Sequence, residues 1–194
     1  GMPESVTAFC DIAKYHNIEV EDDATIFIRY KNGATGVFMT STGEYPGTNR
    51  LEISGDLGKI VLENGVMKWY KLKEPISEVI ANSKQGFAQI DYDYEEIKQE
   101  RPETSHQGIL QNFANAILFG EELISPGREA INELTLSNAA YLSEWKGNRE
   151  ITLPFDSKIF DNLLAEKAKQ SKHRLADSEK SGNTSYLPRW QVRW

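Results

Sequence analysis

The spacing of hydrophobic positions divides the chain into two parts. In the first part, apolar and polar residues alternate with a period of two, as in the runs 6–12 and 26–30. Alternation of this kind is typical of half-buried β-strands. From about residue 105 onward, the apolar residues recur at the three-to-four spacing of amphipathic helices. The change from predicted strands to predicted helices falls near Arg101 and Pro102.

Turn signals connect the predicted strands into hairpins. Asn32-Gly33 and Asn64-Gly65 each lie between two strand-like runs, and the Asn-Gly pair tolerates the positive φ angles of tight hairpin turns. The segment 54–58 contains two glycines and forms a slightly longer turn between a third pair of runs. A further strand is predicted over 87–97. Six or seven strands joined in this way form an antiparallel sheet, because parallel neighbours require crossover helices.

Three helices and a short strand are predicted in the second part. The first helix runs from Thr104 or Ser105 to Gly120, and its apolar stripe is wide enough to cover a sheet. The second opens at Ser125-Pro126 and stops near Gly147, and the third runs from Asp156 to about Lys172. Residues 149–154 form an edge strand between the last two helices. We therefore predict an α+β fold: a large, mostly antiparallel, open-faced sheet with helices packed on one face.

The second face of this sheet is also rich in large side chains. Apolar or aromatic residues occur on both strand registers, whereas a sheet with one solvated face alternates more cleanly. Two interpretations remain open: loops and the C-terminal tail cover this face, or another protein chain covers it. The residues concerned are Phe27, Tyr30, Phe38, Trp69, Tyr70, Phe87, Tyr92 and Tyr94.

Composition narrows the class of protein. The 194 residues carry a net charge of −7, which argues against a nucleic-acid-binding surface spread over the whole chain. No apolar run reaches the ~20 residues of a membrane-spanning helix. One cysteine and the absence of a signal-peptide pattern favour a cytoplasmic location. We expect a domain over residues 1–170 and a tail over 171–194 that has five basic and two acidic residues.

Motifs for catalysis are missing from the sequence. It has no Gly-x-Gly-x-x-Gly, no P-loop, no Gly-x-Ser-x-Gly and no His-Glu-x-x-His. With three histidines but only one cysteine, this chain alone cannot supply the Cys₄, Cys₃His or Cys₂His₂ ligands of a structural zinc site. The acidic run 19–23 is interpreted as a solvated turn. We predict no catalytic, cofactor-binding or metal-binding residue in this chain.

Two places have residues suited to a ligand. The loop 41–50 has more hydrogen-bonding side chains than a simple turn requires, and its Glu44, Tyr45 and Arg50 could hold a polyhydroxylated or anionic ligand. A plain connecting loop is the alternative. His106 begins the first long helix, where it is either a substrate contact or a polar residue that only ends the helix. We take Glu44, Tyr45, Arg50 and His106 as candidate substrate-binding residues.

Several of these segments resemble one known family. The stretch Asn49-Arg-Leu-Glu-Ile-Ser-Gly-Asp-Leu-Gly-Lys-Ile60, after the Asn32-Gly33 hairpin, is similar to the C-terminal domain of Gfo/Idh/MocA oxidoreductases. The later helix pair, with Phe113-Ala-Asn-Ala-Ile117 and Leu136-Ser-Asn-Ala139, continues the resemblance in order. It spans about residues 4–155 and leaves out the tail from Ser171.

The resemblance implies a function for a longer protein. In this family an N-terminal Rossmann domain holds NAD or NADP, and hydride moves between the nicotinamide and a sugar, polyol or related carbonyl compound. The C-terminal domain lines the substrate site and builds the oligomer. The family's Glu-Lys-Pro motif and glycine-rich histidine segment do not occur here, so we expect this chain to be a fragment without cofactor or activity of its own. The loop at Glu44-Tyr45 matches a place where the family often puts a substrate-contacting residue.

The expected partners follow from the same resemblance. They are the missing Rossmann domain, a small sugar or polyol substrate and further copies of the chain bound through the open sheet face, with neither nucleic acid nor membrane. A different class stays open: a non-enzymatic binding or assembly module whose open sheet docks a partner protein. In that case Tyr186–Trp194 could act as a clasp, with a mobile terminus as the alternative.

Overall fold

The computed structural model describes residues 1–98 and 105–171, which form two compact units. The first unit contains Gly1–Tyr45 and the described residues from Leu123 onward, and the second contains Pro46–Glu122. The predicted tail lies outside the described residues, apart from Ser171.

Eight strands and four α-helices make up the described part of the chain. In chain order they are β1 Ser5–Ile12, β2 Glu21–Arg29, β3 Thr35–Ser41, β4 Arg50–Gly55, β5 Gly58–Glu63, β6 Val66–Leu72, α1 Ile76–Asn82, β7 Tyr92–Lys98, α2 Ser105–Phe119, α3 Ala130–Trp145, β8 Ile151–Thr152 and α4 Ser157–Gln170.

All strand pairs are antiparallel, which confirms the predicted α+β class. The strands form two sheets of four rather than the one large sheet that we predicted. The first unit has the order β3-β2-β1-β8, and the second has the order β4-β5-β6-β7. The division falls at residues 42–49 between β3 and β4. This segment is too long for a tight hairpin and contains Pro46, which lacks a backbone N–H.

The predicted hairpin turns are confirmed. Gly33 has a φ of 85° between β2 and β3. Asn64 and Gly65 have φ values of 52° and 72° between β5 and β6, as a type I′ turn requires. The Asn-Gly pairs were therefore sufficient to predict these two turns.

The helices follow the prediction with shifted ends. Helix α2 ends before Gly120, which has a φ of 70°. A short 3₁₀ turn, Gly127–Glu129, precedes α3, and the Asp156 side chain caps α4 by accepting a hydrogen bond from the Lys158 backbone N–H. Helix α1 was not predicted, and β7 begins at Tyr92 rather than at residue 87.

Helix α2 does not bury the apolar stripe that we expected to cover a sheet. Ile109, Phe113 and Ile117 are all exposed, Ile117 by 69%. The buried residue of this helix is Asn112, whose amide donates to the Glu121 side chain and to the Glu122 carbonyl. None of the described helices is long and apolar enough to cross a membrane.

The core of the first unit forms where α3 packs on β1. Val6 and Ala8 of the strand are buried, as are Ala139 and Leu142 of the helix. The small alanine side chains let the helix approach the strand closely. Further along α3, Trp145 stacks on Phe160 of α4 at 5.4 Å between ring centroids, so α4 joins the same core.

Helix side chains close the outer edge of β1. Strand β8 pairs only with Ser5 and Val6, so the backbone beyond Val6 lacks a strand partner on that side. The Ala8 N–H donates instead to Ser143 Oγ at 2.8 Å, and the Ala8 carbonyl accepts from Asn148 Nδ2 at 2.8 Å. The Cys10 N–H donates to Glu144 Oε2 at 3.1 Å. Buried backbone groups are thereby satisfied without a ninth strand.

We expect Ser143→Ala to destabilise the protein by about 1–3 kcal/mol, because it leaves the buried Ala8 N–H without a partner. Ser137→Ala is the matched control, since Ser137 lies on the exposed side of the same helix and bonds only to local carbonyls. Urea denaturation followed by circular dichroism measures both variants. Equal free energies of unfolding for the two variants would contradict this account of the β1 edge.

Candidate functional site

Two loops meet at one end of the first sheet, in the first unit. They are residues 13–20, between β1 and β2, and residues 41–45 at the end of β3; we call them the loop pair. The Thr42 backbone N–H and hydroxyl both donate to the Asp22 carbonyl, at 2.9 Å and 3.2 Å. The loop pair contains the predicted site residues Glu44 and Tyr45. The conformation of the two loops therefore determines where these side chains lie.

Asp22 anchors the first loop from inside. Its side chain is buried, with 3% of the residue exposed. One carboxylate oxygen accepts from the Lys14 backbone N–H at 2.9 Å, and the other accepts from the N–H groups of Tyr15 and His16 at 2.8 Å each. Our interpretation of the run 19–23 as a solvated turn was wrong at this residue, because three backbone donors converge on its carboxylate.

These hydrogen bonds set the charge state of Asp22. Burial alone opposes the charge, but the backbone N–H donors of Tyr15, His16 and Lys14 outweigh it, so the pKa of the Asp22 carboxyl lies below its usual value. The group therefore stabilises the fold in its ionised form.

His16 connects the two loops. Its Nδ1 atom lies 3.2 Å from Asp22 Oδ2 and 3.2 Å from Thr42 Oγ1. The imidazole is buried between them. One ring nitrogen thus links the anchor of the first loop to the second loop.

Tyr15 packs over Gly43. A Cβ atom built on Gly43 would lie 2.4 Å from Tyr15 Cγ, which is inside van der Waals contact. A glycine is therefore required at position 43 because the Tyr15 ring lies close to its backbone, and not because the backbone has an unusual φ angle. The Tyr15 ring supports the backbone that leads directly to Glu44 and Tyr45.

Charged side chains surround the loop pair. Lys14 Nζ lies 2.9 Å from Asp11 Oδ2 and 3.1 Å from Asp23 Oδ1. Hydrogen bonds to Asp11 and then to Asp23 raise the pKa of Lys14. The two carboxylates share one cation, so the surface beside the loop pair is acidic.

The loop pair presents Tyr45 to solvent, with 97% of the residue exposed. Glu44 precedes it and is exposed too. A carboxylate accepts hydrogen bonds from hydroxyl groups, and a tyrosine offers both an aromatic face and a hydroxyl. Glu44 and Tyr45 thus have the groups with which a hydroxylated ligand could be bound.

The other two predicted residues, Arg50 and His106, lie in the second unit. Arg50 opens β4, and its guanidinium contacts Glu52 and lies 3.4 Å from Glu63 Oε2. The hydrogen bond to Glu52 is the main cause that raises the pKa of Arg50. An anionic ligand at Arg50 must compete with these carboxylates. His106 is exposed in the first turn of α2. Both assignments stay predictions.

No metal-binding cluster is found among residues 1–98 and 105–171, where no three His, Cys, Asp or Glu side chains are arranged to hold an ion. At the loop pair, Glu44 and Tyr45 offer groups for hydrogen bonding and an aromatic face.

Comparison with known proteins identifies the fold. Residues 1–61 match the family model of the GFO/IDH/MocA C-terminal domain. The WlbA dehydrogenase from Bordetella pertussis, solved in complex with NADH and UDP-GlcNAcA, is 25% identical over 80% of this chain with a TM-score of 0.55. The WlbA enzyme from Chromobacterium violaceum, in complex with the same two ligands, is 26% identical over 80% of this chain with a TM-score of 0.59.

A more distant structure shows the fold alone. An oxidoreductase from Agrobacterium radiobacter, in complex with NAD⁺, L-tartaric acid and magnesium, is 21% identical over 78% of this chain with a TM-score of 0.53. No curated protein matches the chain. The predicted resemblance to the C-terminal domain of Gfo/Idh/MocA oxidoreductases is confirmed by the family match and the WlbA structures.

The matched region is only part of each relative. It covers 42% and 41% of the two WlbA chains and 44% of the Agrobacterium protein. The chain therefore spans less than half the length of each of these relatives.

Glu44 and Tyr45 stay predicted site residues, and the sequence did not lead us to the residues that support them. Tyr15, His16 and Asp22 were not singled out. The available signal was an aspartate just inside a strand that follows an eight-residue loop rich in polar groups, because such an aspartate often accepts backbone hydrogen bonds from that loop.

Asp22→Asn is expected to lower the free energy of unfolding by about 2–3 kcal/mol at pH 7, because an amide N–H₂ group replaces one of the two acceptor oxygens. The folded-state pKa of Asp22 is below that of the unfolded chain, about 3.9, so its contribution is fully present above that pH and is lost as the pH falls through the folded value. The difference between wild type and variant must therefore shrink in acid. Denaturation at pH 7 and at decreasing pH measures it.

Asp161→Asn, at an exposed position of α4, is the matched control for the loss of one charge. A wild-type advantage over Asp22→Asn that stays constant down to low pH would contradict the role given to the Asp22 carboxylate.

Gly43→Ala is expected to destabilise the loop pair by about 1–3 kcal/mol, because the new methyl group overlaps the Tyr15 ring. In a double-mutant cycle, Tyr15→Ala should remove most of this cost. Gly36→Ala is the control, since its Cβ would meet only Ile28 Cβ, at an ordinary 3.8 Å. Additive effects of Gly43→Ala and Tyr15→Ala would show that the two residues do not pack as described.

Proposed function

We propose that this chain is the substrate-binding and oligomerisation domain of an NAD(P)-dependent oxidoreductase that acts on a sugar, a polyol or a related carbonyl or hydroxyl compound. The Rossmann domain that holds the cofactor belongs to the longer protein, and the chain alone is inactive. The location is cytoplasmic. The observation that carries the proposal is the loop pair, which a buried carboxylate orders and which presents Glu44 and Tyr45 outward.

The order of the loop pair supports a binding role. A loop that only connects two strands has no need of a buried aspartate with three backbone donors, a bridging histidine and a glycine under a tyrosine ring. Rigid supports of this kind lower the entropy cost of ligand binding.

The solved relatives support the class of substrate. The two WlbA structures were determined with NADH and UDP-GlcNAcA, a nucleotide-linked acidic sugar. The sugar part offers hydroxyl groups for Glu44, and its ring has a C–H face for Tyr45. We therefore place the substrate's sugar ring at the loop pair.

The open face of the first sheet supports the oligomerisation role. On β1, β2 and β3, the residues with odd numbers point away from α3. They include Phe9, Phe27, Val37 and Met39, which lie in two adjacent cross-strand rows, and Met39 is 73% exposed. A contiguous apolar surface of this kind on a water-exposed sheet marks a protein interface.

The second sheet has an apolar face of its own. Two cross-strand rows place large apolar side chains on one side of this sheet. The described residues of the second unit leave much of this face exposed. The residues are Leu51, Leu62, Met67 and Ile97 in one row, and Ile53, Ile60 and Trp69 in the other.

Met39→Glu is expected to weaken self-association by about tenfold or more, because it places a charge in the interface. Thr40→Glu is the matched control: the neighbouring residue is exposed as well but faces the other side of β3. Sedimentation velocity over a range of protein concentrations measures both. A strictly monomeric wild type at tens of micromolar would contradict the interface.

Tyr45→Ala is expected to weaken binding of UDP-GlcNAcA to the chain by about fivefold, the loss of one aromatic contact worth about 1 kcal/mol. Tyr92→Ala in the second unit is the control variant. NADH is the control ligand and should not saturate, because the chain has no dinucleotide-binding motif. Amide chemical shifts followed by NMR report both titrations. Saturable NADH binding, or sugar-nucleotide binding unaffected by Tyr45→Ala, would overturn this assignment.

A further inference from the structure

A cavity of about 630 Å³ lies within the first unit, and residues 18–20 of the loop pair line it, whereas Glu44 and Tyr45 do not. It opens between the ends of β1 and β2, helix α3 and helix α4. Most of its wall is apolar or aromatic: Ile12, Ile18, Val20, Trp145, Phe160 and Leu164. A cavity with such a wall favours an apolar occupant.

The wall of this cavity carries negative charge. Three acidic residues, Glu19, Glu21 and Glu144, line it, against one basic residue, Lys167. The Tyr141 hydroxyl donates to Glu21, and the Cys10 backbone N–H donates to Glu144, so neutral groups hold these carboxylates in place. Burial, together with the nearby carboxylates of Glu144 and Glu21, raises the pKa of the Cys10 thiol to about 11. The negative charge of the wall favours an occupant that carries positive charge.

The described chain reaches the rim of the cavity at its last residue. Ser171 follows α4, lines the cavity and donates its hydroxyl hydrogen bond to Glu19. The sequence continues from this point with residues 172–194, which carry five basic and two acidic residues. The next part of the polypeptide is therefore tethered beside the cavity and has the opposite charge.

One stretch of the continuing sequence combines large apolar groups with cations. Residues 186–194 read Tyr-Leu-Pro-Arg-Trp-Gln-Val-Arg-Trp and contain no acidic residue. Trp and Arg are the residue types that most often anchor protein interfaces, and each buried aromatic side chain removes about 150–250 Å² from water.

We propose that residues 186–194 bind in cis in this cavity, with an indole of Trp190 or Trp194 between Trp145, Phe160 and Leu164 and the guanidinium groups of Arg189 and Arg193 near Glu19 and Glu21. Fourteen residues, 172–185, separate Ser171 from Tyr186, and an extended link of that length spans up to about 50 Å, more than enough to return to the rim. Because the segment is tethered, its binding is intramolecular, so modest contact energy suffices.

The first test compares the full chain with Trp190→Ala/Trp194→Ala by limited trypsin digestion after Arg189. A docked segment is cleaved only when it is released, so the wild type should be cut about tenfold or more slowly than the variant. Trp69→Phe, in the second unit, is the control for the loss of an indole. Equal cleavage rates for wild type and the double variant would overturn the proposal.

Hydrogen exchange provides a second measurement that does not depend on cleavage. In the full chain, the backbone amides of residues 18–21 and 160–171 should exchange more slowly than in Trp190→Ala/Trp194→Ala or in a chain that stops after Ser185. A synthetic peptide of residues 186–194 should restore the protection of the shortened chain, and a scrambled peptide should not. Identical exchange in all these chains would overturn the proposal. Protection that appears only as the protein concentration rises would do so too, because the segment would then bind a second copy.

Discussion

The outer edge of β1 is the constraint on which the first unit depends. Strand β8 covers only the first two residues of that edge, and the buried backbone beyond it is satisfied by Ser143, Glu144 and Asn148. These bonds fix the position of α3 along β1, because each joins one backbone group to one side chain. The close packing of Ala139 on the strand and the stack of Trp145 on α4 both follow from that position.

The hydrogen bonds at the β1 edge also bear on the cavity, and the loop pair shows a similar arrangement. Glu144 closes the β1 edge and also forms part of the cavity wall, so the shape of the cavity depends on the hydrogen bonds of the strand. At the same end of β1 and β2 as the cavity, Asp22 orders the loop pair through backbone N–H groups in the same way. In both cases a carboxylate takes the place of a missing main-chain partner. The sheet thereby holds the loop pair and the cavity without additional strands among the described residues.

Local signals were sufficient to predict much of this fold. The Asn32-Gly33 and Asn64-Gly65 turns and the end of α2 at Gly120 depend on a few neighbouring residues, and all were predicted correctly. The β1 edge could not be predicted, because Ala8 and Ser143 are 135 residues apart in the chain. At the candidate site, Glu44 and Tyr45 were predicted from loop composition and from the family resemblance, and their role stays a prediction. The burial of Asp22 was missed because a run of acidic residues has the same pattern whether one carboxylate is solvated or is surrounded by backbone donors.

The most direct test of the central claim is the hydrogen-exchange rate of the Ala8 and Cys10 amides in the native protein, measured by NMR. If α3 side chains close the β1 edge, both amides should be protected about as strongly as the amides in the β1–β2 ladder, and Ser143→Ala should release Ala8 alone. Exchange of the Ala8 amide at the rate of an exposed loop would contradict the claim, because the edge would then be open to water.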